Sequence, residues 1–313
     1  GTLDAGFDPG AGFHTPFSGS SVHIAIQSNG QVLVTGGFDA YDGIAIDKIV
    51  RLNTDGSIDP SFTGAPGGGF DAEEGGPLLL QTDGKIIMGR KRLNSDGSLD
   101  ASFAPPISGW VIANALQPDG KIILAGGPEG GSAIFTRLLP DGSVDPSFDT
   151  GSGFTNNNWV RAVALQPDGR MVLAGEFSSY NGVSRNNIVR VNADGSLDTS
   201  FDPGDGFILE VRLLFLQPDR RIIVAGNFNT YNGSNCKNIV RLYPDGSIDP
   251  SFDTGTGFEQ TVYALALQAD GNVVVGGEFI SYNGTGRNRI ARLLGGGVDC
   301  LGVPNGPALP GTA

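Results

Sequence analysis

Histidine, cysteine, methionine and tryptophan each occur only twice in the 313 residues, and each scarcity closes a line of chemistry. His14 and His23 lie close together near the start, so no histidine cluster can hold a metal and a nucleophilic triad has few starting points. Cys236 and Cys300 are too few for a disulfide framework, although a single bridge between them is open. Lys and Arg number 20 against 33 Asp and Glu, a formal charge of −13, with a pI near 4.4. That balance excludes a nucleic-acid backbone as partner and disfavours an anionic membrane surface, since both need clustered cations. No apolar run reaches the roughly 20 residues that cross a bilayer, so no membrane insertion is expected. No secretory leader is visible, and the chain starts at Gly1 without methionine, as expected of a processed product or a piece of a longer chain. No stretch sustains a helical apolar period.

Turn chemistry is abundant, with 50 glycines and 19 prolines set between short β-rich runs. The unit is clearest from Trp159 to Phe201, which contains two hairpins in series. Pro167-Asp168-Gly169 closes the first, because proline and aspartate suit the corners of a type I turn and glycine accepts the left-handed residue after it. Ala193-Asp194-Gly195 closes the second. Counting outwards pairs Asn192 with Ser196, Val191 with Leu197 and Arg190 with Asp198, the apolar pair on one face and the charged pair on the other.

The pattern Asp-x-Ser-Phe ends at Phe62, Phe103, Phe148, Phe201 and Phe252, at spacings of 41 to 53 residues. A glutamine closes the first strand each time, at Gln27, Gln81, Gln117, Gln166, Gln217 and Gln268. Six units of this period predict an all-β, six-bladed propeller of four-stranded antiparallel blades, one domain over residues 1–300, with 301–313 a tail or linker.

An arginine stands eight residues before an aspartate in five units: Arg51 and Asp59, Arg92 and Asp100, Arg137 and Asp145, Arg190 and Asp198, Arg241 and Asp249. The offset is that of a cross-strand structural pair, expected to be exposed, to set register, and to contribute about 0–1 kcal/mol each. The sixth arginine, Arg292, finds Cys300 instead. The segment Leu3-Asp4-Ala5-Gly6-Phe7 resembles a last strand without its unit, so Asp4 is expected to partner Arg292, the N-terminal strand closing the last blade. Val298-Asp299-Cys300 as the sixth unit's own outer strand is the competing reading.

Two loops recur. The crossings Asp8 to Phe13, Asp149 to Phe154, Asp202 to Phe207 and Asp253 to Phe258 contain Gly-x-Gly, but no helix N-terminus or lysine follows to cradle a phosphate. Their phenylalanines are expected to plug the space between sheets. Four units join their second and third strands through a loop bearing Tyr41, Tyr180, Tyr231 or Tyr282, a candidate aromatic interaction rim, or else packing for their own hairpins. Units two and three lack this loop, which predicts a notch. Arg220 stands where the first turn of the other units has glycine, at a cost of about 1 kcal/mol, and marks the fifth unit's first hairpin as the one to be distorted.

The combination Ala-Leu-Gln-Pro-Asp-Gly, Ala-Gly-x-Phe, Tyr-Asn-Gly, Asn-Ile-Val-Arg-Leu and Asp-Gly-Ser-x-Asp-x-Ser-Phe resembles the delta-60 repeat family of β-propeller-like bacterial proteins, over about residues 1 to 300. The resemblance implies a secreted or surface-exposed module of a larger polypeptide. The tail from Val298 is similar to linkers in secreted proteins of Bacteroidota, where type IX secretion is common, and implies further modules with which Cys300 would pair. The family offers no catalytic residues to carry over.

No twelve-residue calcium loop is present, and no metal, cofactor or catalytic residue is expected. Glu176 and Glu278 are the one carboxylate pair with a glycosidase reading, explained equally by drift between repeats. The expectation is therefore a non-catalytic, extracellular or cell-surface module for adhesion or presentation, binding protein or glycan at a loop face. The alternative is a carbohydrate-active propeller enzyme or lectin with carboxylates near a central channel.

Overall fold

The computed structural model describes residues 4–15, 22–46, 48–64, 77–128, 133–154 and 159–295. These are strands, turns and bends, with no helix among the described residues. The chain divides into two compact units, one of residues 1–130 and 136–146, the other of 131–135 and 147–313.

Each repeat builds a three-stranded antiparallel sheet in which the second strand lies between the first and third. In the first unit these are Val22–Ile26, Val32–Gly36 and Ile49–Leu52, then Leu78–Leu80, Ile86–Met88 and Lys91–Leu93, then Trp110–Leu116, Ile122–Gly127 and Phe135–Leu138. The second unit holds Trp159–Leu165, Met171–Glu176 and Ile188–Val191, then Phe207–Leu216, Ile222–Tyr231 and Ile239–Leu242, then Val262–Leu267, Val273–Gly277 and Ile290–Leu293.

Second strands are apolar at consecutive positions because both of their faces are covered. In the fifth repeat Ile222 and Val224 pack with Val172, Ala174 and Ile188 of the fourth. The alternate residues Ile223 and Ala225 pack with Val273 and Val275 of the sixth. In the first unit Leu33 and Ile49 meet Ile86, Met88 and Leu93 in the same way.

In the first five repeats the expected fourth strand is reduced to one bridge each among the described residues: Leu52 to Ile58, Leu93 to Leu99, Leu138 to Val144, Val191 to Leu197 and Leu242 to Ile248. The main ladder of each repeat is therefore three-stranded, with a tethered outer segment in the first five, and in the fifth repeat the short loop strand Ser234–Asn235 joins the sheet as well. The turn register is the one the sequence dictates, since Asn192 N–H donates to Ser196 O at 2.8 Å and Asp198 N–H to Arg190 O at 3.0 Å. The segment then stops because its aspartate makes a turn of its own. Asp198 Oδ1 accepts the Ser200 amide at 2.9 Å and its hydroxyl at 2.7 Å, which spends the backbone groups a longer strand would pair.

Arg220 takes the glycine conformation, φ 68°, without distorting its hairpin. Arg220 N–H still donates to Gln217 O at 2.9 Å and Gln217 N–H to Arg221 O at 2.8 Å. The surrounding strands are the longest pair in the described residues at ten residues each, and their ladder holds the turn against about 1 kcal/mol of local strain.

Loop hairpins stand in the first, fourth, fifth and sixth repeats, at Ala40–Tyr41 with Ile44–Ala45, Ser179–Tyr180 with Val183–Ser184, Tyr231 with Ser234, and Ser281–Tyr282 with Thr285–Gly286. The second repeat passes from Met88 to Lys91 through Gly89 and Arg90 alone. Cys236 is a buried free thiol whose pKa burial pushes up to about 12. Cys300, the tail and the Val298 to Cys300 strand lie outside the described residues.

Candidate functional site

The arginine and aspartate pairs expected on the surface are interior. Arg Nε to Asp Oδ2 distances are 2.7 Å for Arg51 and Asp59, 2.8 Å for Arg92 and Asp100, and 2.7 Å for Arg137 and Asp145. They are 2.6 Å for Arg190 and Asp198 and 2.7 Å for Arg241 and Asp249, the last pair with no exposure at all. Breaking a buried pair costs about 3–5 kcal/mol, well above the surface value, because a charge is left uncompensated.

Four of the five guanidinia also reach beyond their own repeat. Arg51 Nη1 donates to Ser95 O in the turn of the second repeat at 2.6 Å. Arg92 does the same to Pro140 O, Arg190 to Pro244 O and Arg241 to Gly295 O. The aspartate gathers a further donor from the residue after the first turn: Gln31 on Asp59 at 2.8 Å, Lys85 on Asp100 at 2.6 Å, Lys121 on Asp145 at 3.1 Å, Arg170 on Asp198 at 3.1 Å and Arg221 on Asp249 at 3.3 Å. Sequence reading missed these donors, although their constant position after the first turn was a usable signal. Burial pushes the Asp198 carboxyl up, but hydrogen bonds from Ser200 and Arg190 outweigh it and hold the pKa at about 2. These pairs are the joints of the fold.

Of the two readings of the loop tyrosines, an interaction rim or packing for their own hairpins, three of the four follow the second. Tyr41, Tyr180 and Tyr231 are at most 2% exposed, and their hydroxyls donate to Gly56 O at 2.6 Å, Gly195 O at 2.5 Å and Gly246 O at 2.5 Å. Tyr282 is half-buried. Each sits against the crossing phenylalanine, with ring centroids 4.7 Å apart for Phe13 and Tyr41, 4.9 Å for Phe154 and Tyr180, 4.4 Å for Phe207 and Tyr231, and 4.5 Å for Phe258 and Tyr282. The Gly-x-Gly crossing cradles the neighbouring loop in place of a phosphate: Asn181 Oδ1 accepts from Ser152 N–H at 3.1 Å and Asn232 Oδ1 from Asp205 N–H at 3.1 Å. Packing its own hairpin is thus what each of the three buried tyrosines does.

A different cluster lies in the second unit, on the first strands of the fourth to sixth repeats. Their registers shift between Val160 and Ala162, Val211 and Leu213, and Val262 and Ala264, so Arg161, Arg212 and Tyr263 are the extra residues of three aligned bulges. A bulge re-aims the side chain it carries. Gly175 stands opposite the first, where a Cβ would fall 1.9 Å from Trp159 O, so no larger residue fits without moving the bulge.

Arg161 Nη2 meets Glu176 Oε1 at 2.5 Å and also pairs with Glu210, while Arg212 Nη2 meets Glu210 Oε2 at 2.5 Å. Arg161 lies 5.4 Å from the Trp159 ring and Arg212 5.2 Å from the Tyr263 ring, within cation–π range. Burial raises the Glu210 pKa above the ordinary carboxylate value. At Glu176 burial also pushes upward, but the hydrogen bond from Arg161 outweighs it and the pKa falls. Glu176 and Glu210 are bridged by Arg161, which pairs with both, so the carboxylate that shares a cation with Glu176 is Glu210, a residue to which the sequence pattern gave no role. Tyr263 keeps 46% of its surface exposed. Among the described residues no group of three or more His, Cys, Asp or Glu is placed to hold a metal.

No curated protein matches the sequence. Similar solved structures include a protein of unknown function from Bacteroides caccae, at 15% identity and TM-score 0.37, covering 57% of this chain and 66% of that one. A catalytically inactive virginiamycin B lyase from Staphylococcus aureus, solved with quinupristin, is 14% identical with TM-score 0.47, covering 87% and 83%. The extracellular domain of a putative hybrid two-component system from B. thetaiotaomicron is 13% identical with TM-score 0.47, covering 89% of this chain and 42% of that one. This chain thus spans less than two thirds of the first and less than half of the last. A family model matches residues 27–62, 91–103, 117–148, 166–201, 217–252 and 268–298, more than half of the chain and the same repeats that the sheets define. The chain belongs to the beta-propeller family described as a domain of unknown function (DUF5122).

Proposed function

We propose that the protein is a non-catalytic, extracellular interaction module, used for adhesion or presentation, whose contact patch is the bulge cluster of Trp159, Arg161, Glu176, Glu210, Arg212 and Tyr263. Its finer architecture is six blades, each of three strands and a tethered fourth segment. The observation that carries the reading is the pairing of charges: two arginines match two glutamates, and an exposed tyrosine borders them. Such a patch offers planar apolar faces beside fixed hydrogen-bonding groups, which suits a glycan or a polar peptide.

A carbohydrate-active enzyme is the second reading, favoured by the opposite displacement of the Glu176 and Glu210 pKa values, the usual mark of an acid and base pair. The geometry argues against it. Glycosidase carboxyls stand about 5 Å or more apart to admit the sugar or a water, whereas these two are bridged by Arg161, which pairs with both, and Arg212 pairs with Glu210 as well. Glycan and peptide arrays, read beside turnover assays on every sugar that binds, test the choice. Binding without turnover that is lost in Tyr263→Ala and Arg212→Ala is expected. Hydrolysis abolished by Glu210→Gln would establish the enzyme instead, and binding indifferent to both cluster variants would remove the patch.

A further inference from the structure

Five of the six first turns place glycine in the left-handed position, at φ 86° for Gly30 and 80° for Gly271. The fifth repeat keeps Arg220 there at φ 68°, although glycine would serve the turn without strain. A strained residue held against that alternative marks its side chain as one with a use. The fold does not use it. Arg220 is exposed, and its side chain has no ion pair or hydrogen bond among the described residues.

Arg220 lines a cleft of about 260 Å³ between the fourth and fifth repeats, both within the second unit. Gln166, Arg170, Arg190 and Asp245 line it as well. The other two cations are engaged: Arg190 holds Asp198, Pro244 O and Ser200 Oγ, and Arg170 holds Asp198 at 3.1 Å and Asp168 at 3.4 Å. Arg220 is thus the cation of this cleft left for an anion from outside the fold. Gln166 sets a second requirement, because it is only 5% exposed and its Oε1 accepts no hydrogen bond. The same oxygen is unpartnered in Gln27, Gln81, Gln117 and Gln217, so the acceptor belongs to the repeat and the arginine is what sets this cleft apart. A buried acceptor without a donor costs about 1–3 kcal/mol. A hydroxyl on an occupant removes that cost. Asp245 puts a negative charge on the same wall, which penalises a dianion such as a phosphate ester.

We infer that this cleft binds a hydroxy-carboxylate, the chemistry shared by a uronic acid unit of a glycan and a free hydroxy acid, with the carboxylate on Arg220 and the hydroxyl donating to Gln166 Oε1. The guanidinium fork matches a carboxylate with two parallel hydrogen bonds. The volume lies below the roughly 300–1,000 Å³ of sites for drug-sized ligands, so one sugar unit enters and a folded chain does not. No residue of the cleft belongs to the bulge cluster, and the two sites stand or fall separately.

Ligand-observed NMR titration of the whole chain with galacturonate, lactate, galactose and acetate tests the assignment. Saturable binding of galacturonate or lactate is expected, with galactose and acetate about tenfold weaker because each lacks one of the two contacts. Galacturonate ahead of lactate identifies a glycan as the source, and the reverse order a free hydroxy acid. Arg220→Gly restores the residue of the other five turns, so it folds, and it should weaken binding about tenfold or more. Gln166→Met should weaken the hydroxy acids and leave acetate unchanged, a split that a merely structural role of Gln166 would not produce. Binding untouched by Arg220→Gly, galactose as tight as galacturonate, or no saturation with either hydroxy acid overturns the assignment. So does loss of binding in Tyr263→Ala, which would move it to the bulge cluster.

Discussion

The second and fifth repeats carry the same signature on very different frames. The fifth has ten-residue strands, a tyrosine hairpin whose Tyr231 hydroxyl binds Gly246 O, and an arginine and aspartate without exposure. The second has three-residue strands, a two-residue link in place of the hairpin, and a pair exposed by 7% and 9%. Yet Arg92 and Arg241 make the same two contacts, the aspartate eight residues on and the carbonyl of the next turn. The family match in the second repeat shrinks to residues 91–103, the stretch that contains this joint. The joint is therefore what a repeat of this kind keeps, while strand length and loop are free to vary.

Acid is the largest perturbation, because it attacks every joint at once. For Asp100 the hydrogen bond from Lys85 lowers the pKa. For Asp249 burial pushes upward and is outweighed by Ser251 and Arg241. Carboxyls with depressed folded values stabilise above their ordinary pKa near 4 and lose that contribution as pH falls through the folded value, about 2 for Asp198. Stability should thus hold to about pH 4 and collapse between there and 2, read by tryptophan fluorescence. An Asp198→Asn chain should show a shallower pH slope, and an unchanged slope would break the link between joint and stability.

Removing single arginines sharpens the comparison next. Arg241→Met should cost about 3–5 kcal/mol in urea unfolding, because Asp249 is left buried. Arg92→Met should cost less, about 1–3 kcal/mol, since Lys85 remains on Asp100; equal losses would show that burial does not grade the joints. Tyr231→Phe removes one buried hydrogen bond that the second repeat never had and should cost about 1 kcal/mol. The smallest effect belongs to Arg220→Gly, which should relieve left-handed strain and stabilise by less than about 1 kcal/mol.

The repeat, its turn register and the partners of Arg51, Arg92, Arg137, Arg190 and Arg241 were legible because turn residues with fixed conformational needs recur at fixed offsets. Asn192 with Ser196 and Arg190 with Asp198 follow from Ala193-Asp194-Gly195 alone. Burial was not legible there: hydrogen-bond offsets say which residues meet, and only the stacking of one sheet on the next decides that Arg241 is enclosed. The fourth strand was over-read because its aspartate competes for the backbone through its own side chain, a local effect that pairing patterns do not show. Tyr180 and Tyr231 left both a rim and packing for their own hairpins open, because the loop that carries them is polar while the phenylalanine that covers each, Phe154 or Phe207, comes from the preceding crossing. The cluster around Arg161 depends on three bulges, and bulges leave only a weak trace, here the glycine opposite each.

The central claim is that Arg51, Arg92, Arg190 and Arg241 each hold both their own outer segment and the turn of the next repeat. Native-state hydrogen exchange on Arg190→Leu tests it directly. Faster exchange is predicted at Ser200 and Phe201, whose amides bond Asp198, and equally at Gly246 and Ser247 in the next turn. Faster exchange confined to residues 198–201, with Gly246 and Ser247 as slow as in the parent, would contradict it.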